Sequence, residues 1–179
     1  APAKIFLYST DAWGAEALEG SLPEPLLALA KANGFEGGLG QFVIRAGEDG
    51  NILDLVGGVG PGTDALAVAA LAAKLPEADY EIARDNDYPM TRIAAGWSDG
   101  AYRFDRYLQK KASPPRLVVG GGTEGDAMVR LAVATDRLRD MVNTPAEDMG
   151  PAEIQGVISD LAERYGCALQ TITGEALLK

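Results

Sequence analysis

Arg139-Asp140-Met141-Val142-Asn143-Thr144-Pro145-Ala146-Glu147-Asp148-Met149-Gly150-Pro151 divides the chain in two. Residues before it continue an amphipathic helix, and the Asn-Thr-Pro step breaks that helix because proline has no amide to donate and disfavours helical backbone in the residue before it. Pro151 then suits a first helical position, where a missing N–H costs nothing. Downstream, Ile154, Val157, Ile158 and Leu161 recur at helical spacing and are expected to face inward, with the helix ending near Gly166. Cys167-Ala168-Leu169-Gln170-Thr171-Ile172 reads as a strand with a buried thiol, and Gly174 opens a segment that Lys179 cuts short.

Upstream, Thr123 and Asp126 have capping-box spacing ahead of a helix whose stripe is Met128, Leu131, Leu138 and Val142, interrupted by Thr135. Arg116-Leu117-Val118-Val119 is a strand running into a glycine-rich turn. Pro89 to Leu108 reads as one helix, with Ile93, Trp97, Phe104 and Leu108 toward the core. Ile5 to Tyr8 and Tyr80 to Ala83 read as strands, and Thr63 to Leu75 as an alanine-rich helix. Pro25 to Asn33 reads as a helix with Leu26, Leu27 and Ala30 on one face and Gly34 past its end. Gln41 to Arg45 and Ile52 to Val56 flank Glu48-Asp49-Gly50-Asn51, whose Asp-Gly pair predicts a hairpin. Alternating strands and helices predict an α/β fold, and the hairpin makes its sheet mixed rather than purely parallel.

The 179 residues, 47% apolar and 23% charged, suit one globular domain or one domain and part of another. A net charge of −10, from 26 acidic and 16 basic side chains, argues against nucleic-acid binding, which needs clustered cations. No run of about 18 apolar residues is present, so no membrane span is expected. The start, Ala1-Pro2-Ala3-Lys4, has no signal-peptide apolar stretch and no initiator Met, which points to trimming or to a fragment. A single cysteine, Cys167, forms no internal disulfide and suits a reducing compartment. Histidine is absent, which removes histidine-based zinc sites and Ser-His or Cys-His catalysis from this chain.

Four segments invite a chemical reading. Gly120-Gly121-Gly122-Thr123-Glu124-Gly125 fits a dinucleotide-binding turn, but the acid expected about 20 residues on, at the end of a second strand, falls on Asp140 in a helix. Gly96-Trp97-Ser98-Asp99-Gly100 fits a nucleophile elbow, yet Ser98 falls inside a helix, so two glycines permitting close helix packing explain it better. Asp85-Asn86-Asp87 starts like a calcium loop, but Met90 and Gly96 stand where Gly and Glu are required. A polar turn capping the following helix is the better reading. Gly57-Gly58-Val59-Gly60-Pro61-Gly62 lacks the Lys-Ser/Thr pair of a phosphate loop.

Two segments resemble one family. Gly96-Trp97 with Gly100-Ala101-Tyr102-Arg103-Phe104-Asp105-Arg106-Tyr107 is similar to a helix of the leucyl (cytosol-type) aminopeptidases, and Arg139 to Pro151 resembles the hinge that opens their catalytic domain. Gly174-Glu175-Ala176-Leu177-Leu178 is similar to the helix that follows. Glu147 stands where Asn is often found, and Gly150 where Thr is usual. The resemblance implies an N-terminal α/β domain over residues 1–122, a linking helix over 123–142, and the truncated start of a second, catalytic-type α/β domain over 143–179. It implies a cytoplasmic parent enzyme, hexameric, that removes N-terminal residues from peptides with two divalent metals, manganese or zinc. The family's lysine and carboxylate motifs do not occur here, so no catalytic, cofactor-binding or metal residue carries over, and this chain's own partner is expected to be the missing catalytic domain. A stand-alone nucleotide-binding module, or a structural or regulatory one, is the alternative.

Overall fold

Ile5, Leu7 and Tyr8 are wholly buried, and the strand that carries them, β1 (Ala3–Tyr8), is the centre of a five-stranded sheet. The computed structural model describes residues 1–15, 20–109 and 113–178. These form two compact units, Ala1–Asp136 and Arg137–Lys179.

In the first unit the sheet order is β2-β3-β1-β4-β5, with β2 at Phe42–Ala46, β3 at Ile52–Gly58, β4 at Asp79–Arg84 and β5 at Arg116–Leu117. β3, β1, β4 and β5 run parallel, and β2 pairs antiparallel with β3 across the expected hairpin. The sheet is therefore mixed, as the sequence predicts. Successive side chains of a strand point to opposite faces, and β1 is covered on both. Ala3, Ile5 and Leu7 join Leu55, Val68, Leu71, Ile93 and Trp97 on one side, while Tyr8 joins Val56, Leu26, Ala30 and Phe35 on the other. That two-sided burial is why the segment reads as an apolar run rather than an alternation.

Helix α1 (Thr10–Ala15) has no counterpart in the sequence reading. The Ser9 hydroxyl accepts the Ala12 amide at 3.1 Å, a cap that starts the helix at the end of β1. Helix α2 (Glu24–Ala32) lies where expected and buries Leu26 and Ala30, with Gly34 left-handed just beyond it. The helix expected over Thr63–Leu75 is shorter and split. Asp64 accepts the Leu66 amide at 2.9 Å and so starts a 3₁₀ turn at Ala65–Val68, which passes into α3 (Ala69–Ala72) before Pro76 closes the segment.

Helix α4 (Met90–Ala101) buries Ile93, Gly96, Trp97 and Ala101. It does not continue to Leu108. Arg103 turns its guanidinium onto the carbonyls of Gly100 and Tyr102 at 2.7 and 2.8 Å, and onto Ala73 at 2.9 Å, taking up acceptors at the helix end. Phe104 is consequently only half-buried and Leu108 is exposed. β5 is also shorter than its apolar run, because Val118 donates to Tyr80 and the ladder then stops.

Helix α5 (Thr123–Asn143) runs as one element to the hinge, and its stripe is not inward-facing: Leu131, Leu138 and Val142 are exposed. In the second unit Thr144 closes this helix, its amide and hydroxyl both donating to the Asp140 carbonyl at 3.0 and 2.6 Å. α6 (Pro151–Tyr165) starts at the proline and ends at left-handed Gly166, φ +64°, both as the sequence predicts. Its Ile154 and Ile158 are exposed rather than inward. Cys167 to Ile172 forms no strand, because no described segment ladders with it, and Cys167 is exposed rather than buried. A 3₁₀ turn follows at Gly174–Leu178.

The two glycines of α4 place a tight demand on the sequence. A Cβ on Gly100 would stand 2.1 Å from the Ala69 carbonyl oxygen, and one on Gly96 3.0 Å from the Leu66 Cα. Both neighbours are backbone and cannot rotate away. Gly100→Ala is therefore expected to lower stability by about 3 kcal/mol, although alanine is the better helix former, and chemical denaturation of the two proteins measures the difference.

Candidate functional site

The C-terminal ends of β1, β3 and β4 meet on one edge of the sheet, the place where open α/β sheets usually bind ligands. Here the polar groups of that edge are engaged with one another. The Asn86 side-chain oxygen accepts the Ser9 amide at 3.2 Å, the Thr10 amide donates to Gly60 at 2.7 Å, and Arg84 donates to the Leu7 carbonyl at 2.7 Å. The Arg84 guanidinium also lies 4.1 Å from the centre of the Tyr8 ring. Asn86 and Asp87 adopt left-handed backbone, φ +56° and +60°, which these residue types tolerate better than most. The Asp85-Asn86-Asp87 turn thus ties β4 to the start of α1. It does not cap α4, whose N-cap is Pro89 with no side-chain hydrogen bond.

Ser98 lies in the middle of α4, not on a strand-to-helix turn, and its hydroxyl is buried with no hydrogen-bond partner among the described residues. A nucleophile needs an exposed oxygen and a base beside it, and Ser98 has neither. The Gly96–Gly100 motif serves packing.

In the glycine-rich turn Gly122 is left-handed, φ +89°, and the Asp126 amide donates back to its carbonyl at 2.9 Å. The Gly120 carbonyl oxygen lies 1.7 Å from where a Cβ on Gly125 would stand. This puts a hydrogen-bond acceptor, not a donor, against the first turn of α5, the reverse of what a phosphate requires. Asp140, the acid at fingerprint distance, sits in the last turn of that helix, not on a parallel strand.

The charged pair that sequence reading overlooked is Arg45–Asp54. The two residues are register partners in the β2–β3 hairpin, and Asp54 is buried. Arg45 Nε donates to Asp54 Oδ1 at 2.8 Å, and Nη2 bonds Oδ2, a two-point clasp that raises the arginine pKa chiefly through its hydrogen bond. Equal spacing about Asp49-Gly50 was the signal that could have found it. Both partners face each other, so the pair closes the hairpin and offers no group to a substrate.

Among the described residues no three histidine, cysteine, aspartate or glutamate side chains are grouped to hold a metal ion. These residues do not fit a dinuclear centre. Apolar grooves are also present among the described residues, one of about 520 Å³ between α4, β5 and α5 past Trp97, Leu117 and Val129 and two more besides. One, of about 310 Å³ in the first unit, runs between α4 and α5 past Leu66, Ala95, Ser98, Met128, Leu131 and Thr135. The other, of about 700 Å³ in the second unit, lies between α6 and Leu169–Leu177. No helix among the described residues is long and apolar enough to cross a membrane.

Residues 11–120 match the family model described as M17 aminopeptidase, N-terminal domain. A probable cytosol aminopeptidase of Streptomyces avermitilis is 33% identical over 102 residues, which are 49% of this chain and 20% of that protein. One of Tropheryma whipplei is 26% identical over 104 residues, 52% of this chain and 20% of that protein. The matched stretch is thus a fifth of each relative's length. Among solved structures, the cytosol aminopeptidase of Coxiella burnetii superposes with a TM-score of 0.77 at 21% identity, covering 99% of this chain and 39% of that one. The bottromycin maturation enzyme BotP, in complex with Mn, gives 0.70 at 24% identity over 99% of this chain and 40% of that one. These two likenesses establish the fold.

Tyr80 gives this unit a pH signature. Its hydroxyl is buried beside Trp97 and donates to the Pro76 carbonyl at 3.0 Å, and burial pushes its pKa up to about 12. The folded protein keeps this proton where the unfolded chain, with a pKa of about 10, releases it. Stability from this source is complete below the unfolded value and is lost as pH rises between the two. Denaturation midpoints are expected to fall across that window, and more steeply than in Tyr80→Phe.

Proposed function

The chain belongs to the M17 aminopeptidase family through its N-terminal domain, and from that membership we propose that it is the N-terminal, non-catalytic portion of an enzyme that removes N-terminal residues from peptides. The family match over residues 11–120 carries this reading. In this reading the chemistry lies in another part of the protein, where two divalent ions, manganese or zinc, would polarise the scissile carbonyl and activate water. In this proposal residues 1–122 are the N-terminal domain, 123–142 the linking helix and 143–179 the first part of a catalytic-type domain. None of them is a catalytic, cofactor or metal residue. The whole protein would be a cytoplasmic homo-oligomer, a hexamer, acting on peptides.

The exposure of Leu169, Ile172, Leu177 and Leu178 in the second unit supports the last of these divisions, since apolar surface of this kind suits burial against further protein. The test is direct. The intact gene product, weighed by mass spectrometry, is expected well above the 18.7 kDa of this chain and should release leucine from a leucyl peptide when Mn²⁺ is added. The 179-residue chain by itself is expected to do neither that nor bind Mn²⁺ stoichiometrically in a calorimetric titration. Metal-dependent release of an N-terminal residue by this chain alone would overturn the proposal.

A further inference from the structure

We propose that α5 is a hinged arm, swinging as a rigid helix about Gly120–Gly122 between the seat on α4 described above and a released position. Burial is what fixes a helix to a domain, and the two neighbouring helices differ sharply in it. α4 buries Ile93, Gly96, Trp97 and Ala101, whereas the 21 residues of α5 bury only Gly125. Val129, Leu131 and Val133 of the arm all remain exposed.

The seat itself is thinly filled. Ala94 and Ser98 of α4, with Met128 and Ala132 of α5, line both of the grooves that flank it, of about 310 and 520 Å³. Protein interiors are ordinarily packed to the density of organic crystals, so a contact with space on both sides is held weakly. Beneath it lies the Ser98 hydroxyl, buried and without a hydrogen-bond partner. Release would let water reach that oxygen and remove the cost of burying it unsatisfied.

The hinge has the right residues. β5 ends at Leu117, three consecutive glycines follow at 120–122, and a Cβ on Gly120 or on Gly121 would meet nothing within 4 Å. The Gly120 carbonyl against Gly125 keeps the first turn of α5 at the pivot while the turns beyond it can move. Under the function proposed above α5 is the linking helix, but the swing itself does not depend on that reading.

Spin-label distances in the 179-residue chain test it, with Cys167→Ser removing the exposed native thiol. One pair, Arg92→Cys and Arg130→Cys, spans α4 and α5, and both positions are exposed. A second pair, Asp126→Cys and Leu138→Cys, lies within α5 and should give one narrow peak near ~18 Å. A rigid arm that swings broadens or splits the first distribution and leaves the second narrow. Gly120→Ala and Gly121→Ala, which fit without collision, should narrow the first by stiffening the hinge. A first distribution as narrow as the second overturns the proposal. So does broadening of both, which would mean that α5 melts instead of swinging, and so does a width that the alanine variants leave unchanged.

Discussion

The approach of α4 to the backbone of Ala69, permitted by Gly100, sets the height of one whole layer over the sheet. At that height Trp97 reaches down to stack near Tyr80, ring centres 5.5 Å apart, and its indole N–H donates to the Pro115 carbonyl at 3.1 Å. The Pro115 bond fixes the entry to β5, Arg116 then clasps Asp79 across the β4–β5 pair, and Val118 donates to Tyr80. Raising α4 by the width of a methyl group would pull on each of these in turn. Close packing leaves no slack to absorb such a shift. A pattern that looks like a catalytic elbow is thus better understood as the foundation of the layer.

How much of this was legible follows from what each signal depends on. The central strands, the hairpin and the start and stop of α6 depend on local chemistry: apolar runs, an Asp-Gly turn, a proline at a first position and a glycine in left-handed backbone. The misread elements depend on partners distant in sequence. Arg103 ends α4 by reaching the Ala73 carbonyl, which no helical periodicity contains. Cys167 to Ile172 has strand composition, but a strand exists only where another backbone completes its hydrogen bonds. α1 went unread because its cap, Ser9, is also the last step out of β1 and looks like loop.

The site reading follows the same division. The sequence marks Ser98, the Gly120–Gly125 turn and Asp85–Asp87 as places where chemistry could be, but only geometry says what their polar atoms do. Asn86 is spent on the Ser9 amide, the Gly120 carbonyl on the approach to Gly125, and Ser98 on a buried position without a base. The Arg45–Asp54 ion pair is equally self-contained. Asn86, Arg45 and Asp54, paired within the fold, rigidify it and leave little to offer a substrate.

The two units stand differently toward their own apolar residues. The first buries two clusters of them, one on each side of the sheet, and leaves Val129, Leu131 and Val133 of α5 exposed. In the second, α6 is a 15-residue amphipathic helix that buries no residue at all. Intrinsic propensity gives only marginal stability to a helix of that length, so most of it must come from covering the apolar face. Ile154, Ile158 and, beyond the helix, Leu169 and Ile172 are exposed apolar side chains. A first unit with a core on each side of its sheet and a second unit whose apolar face is exposed are consistent with the proposed division of the chain.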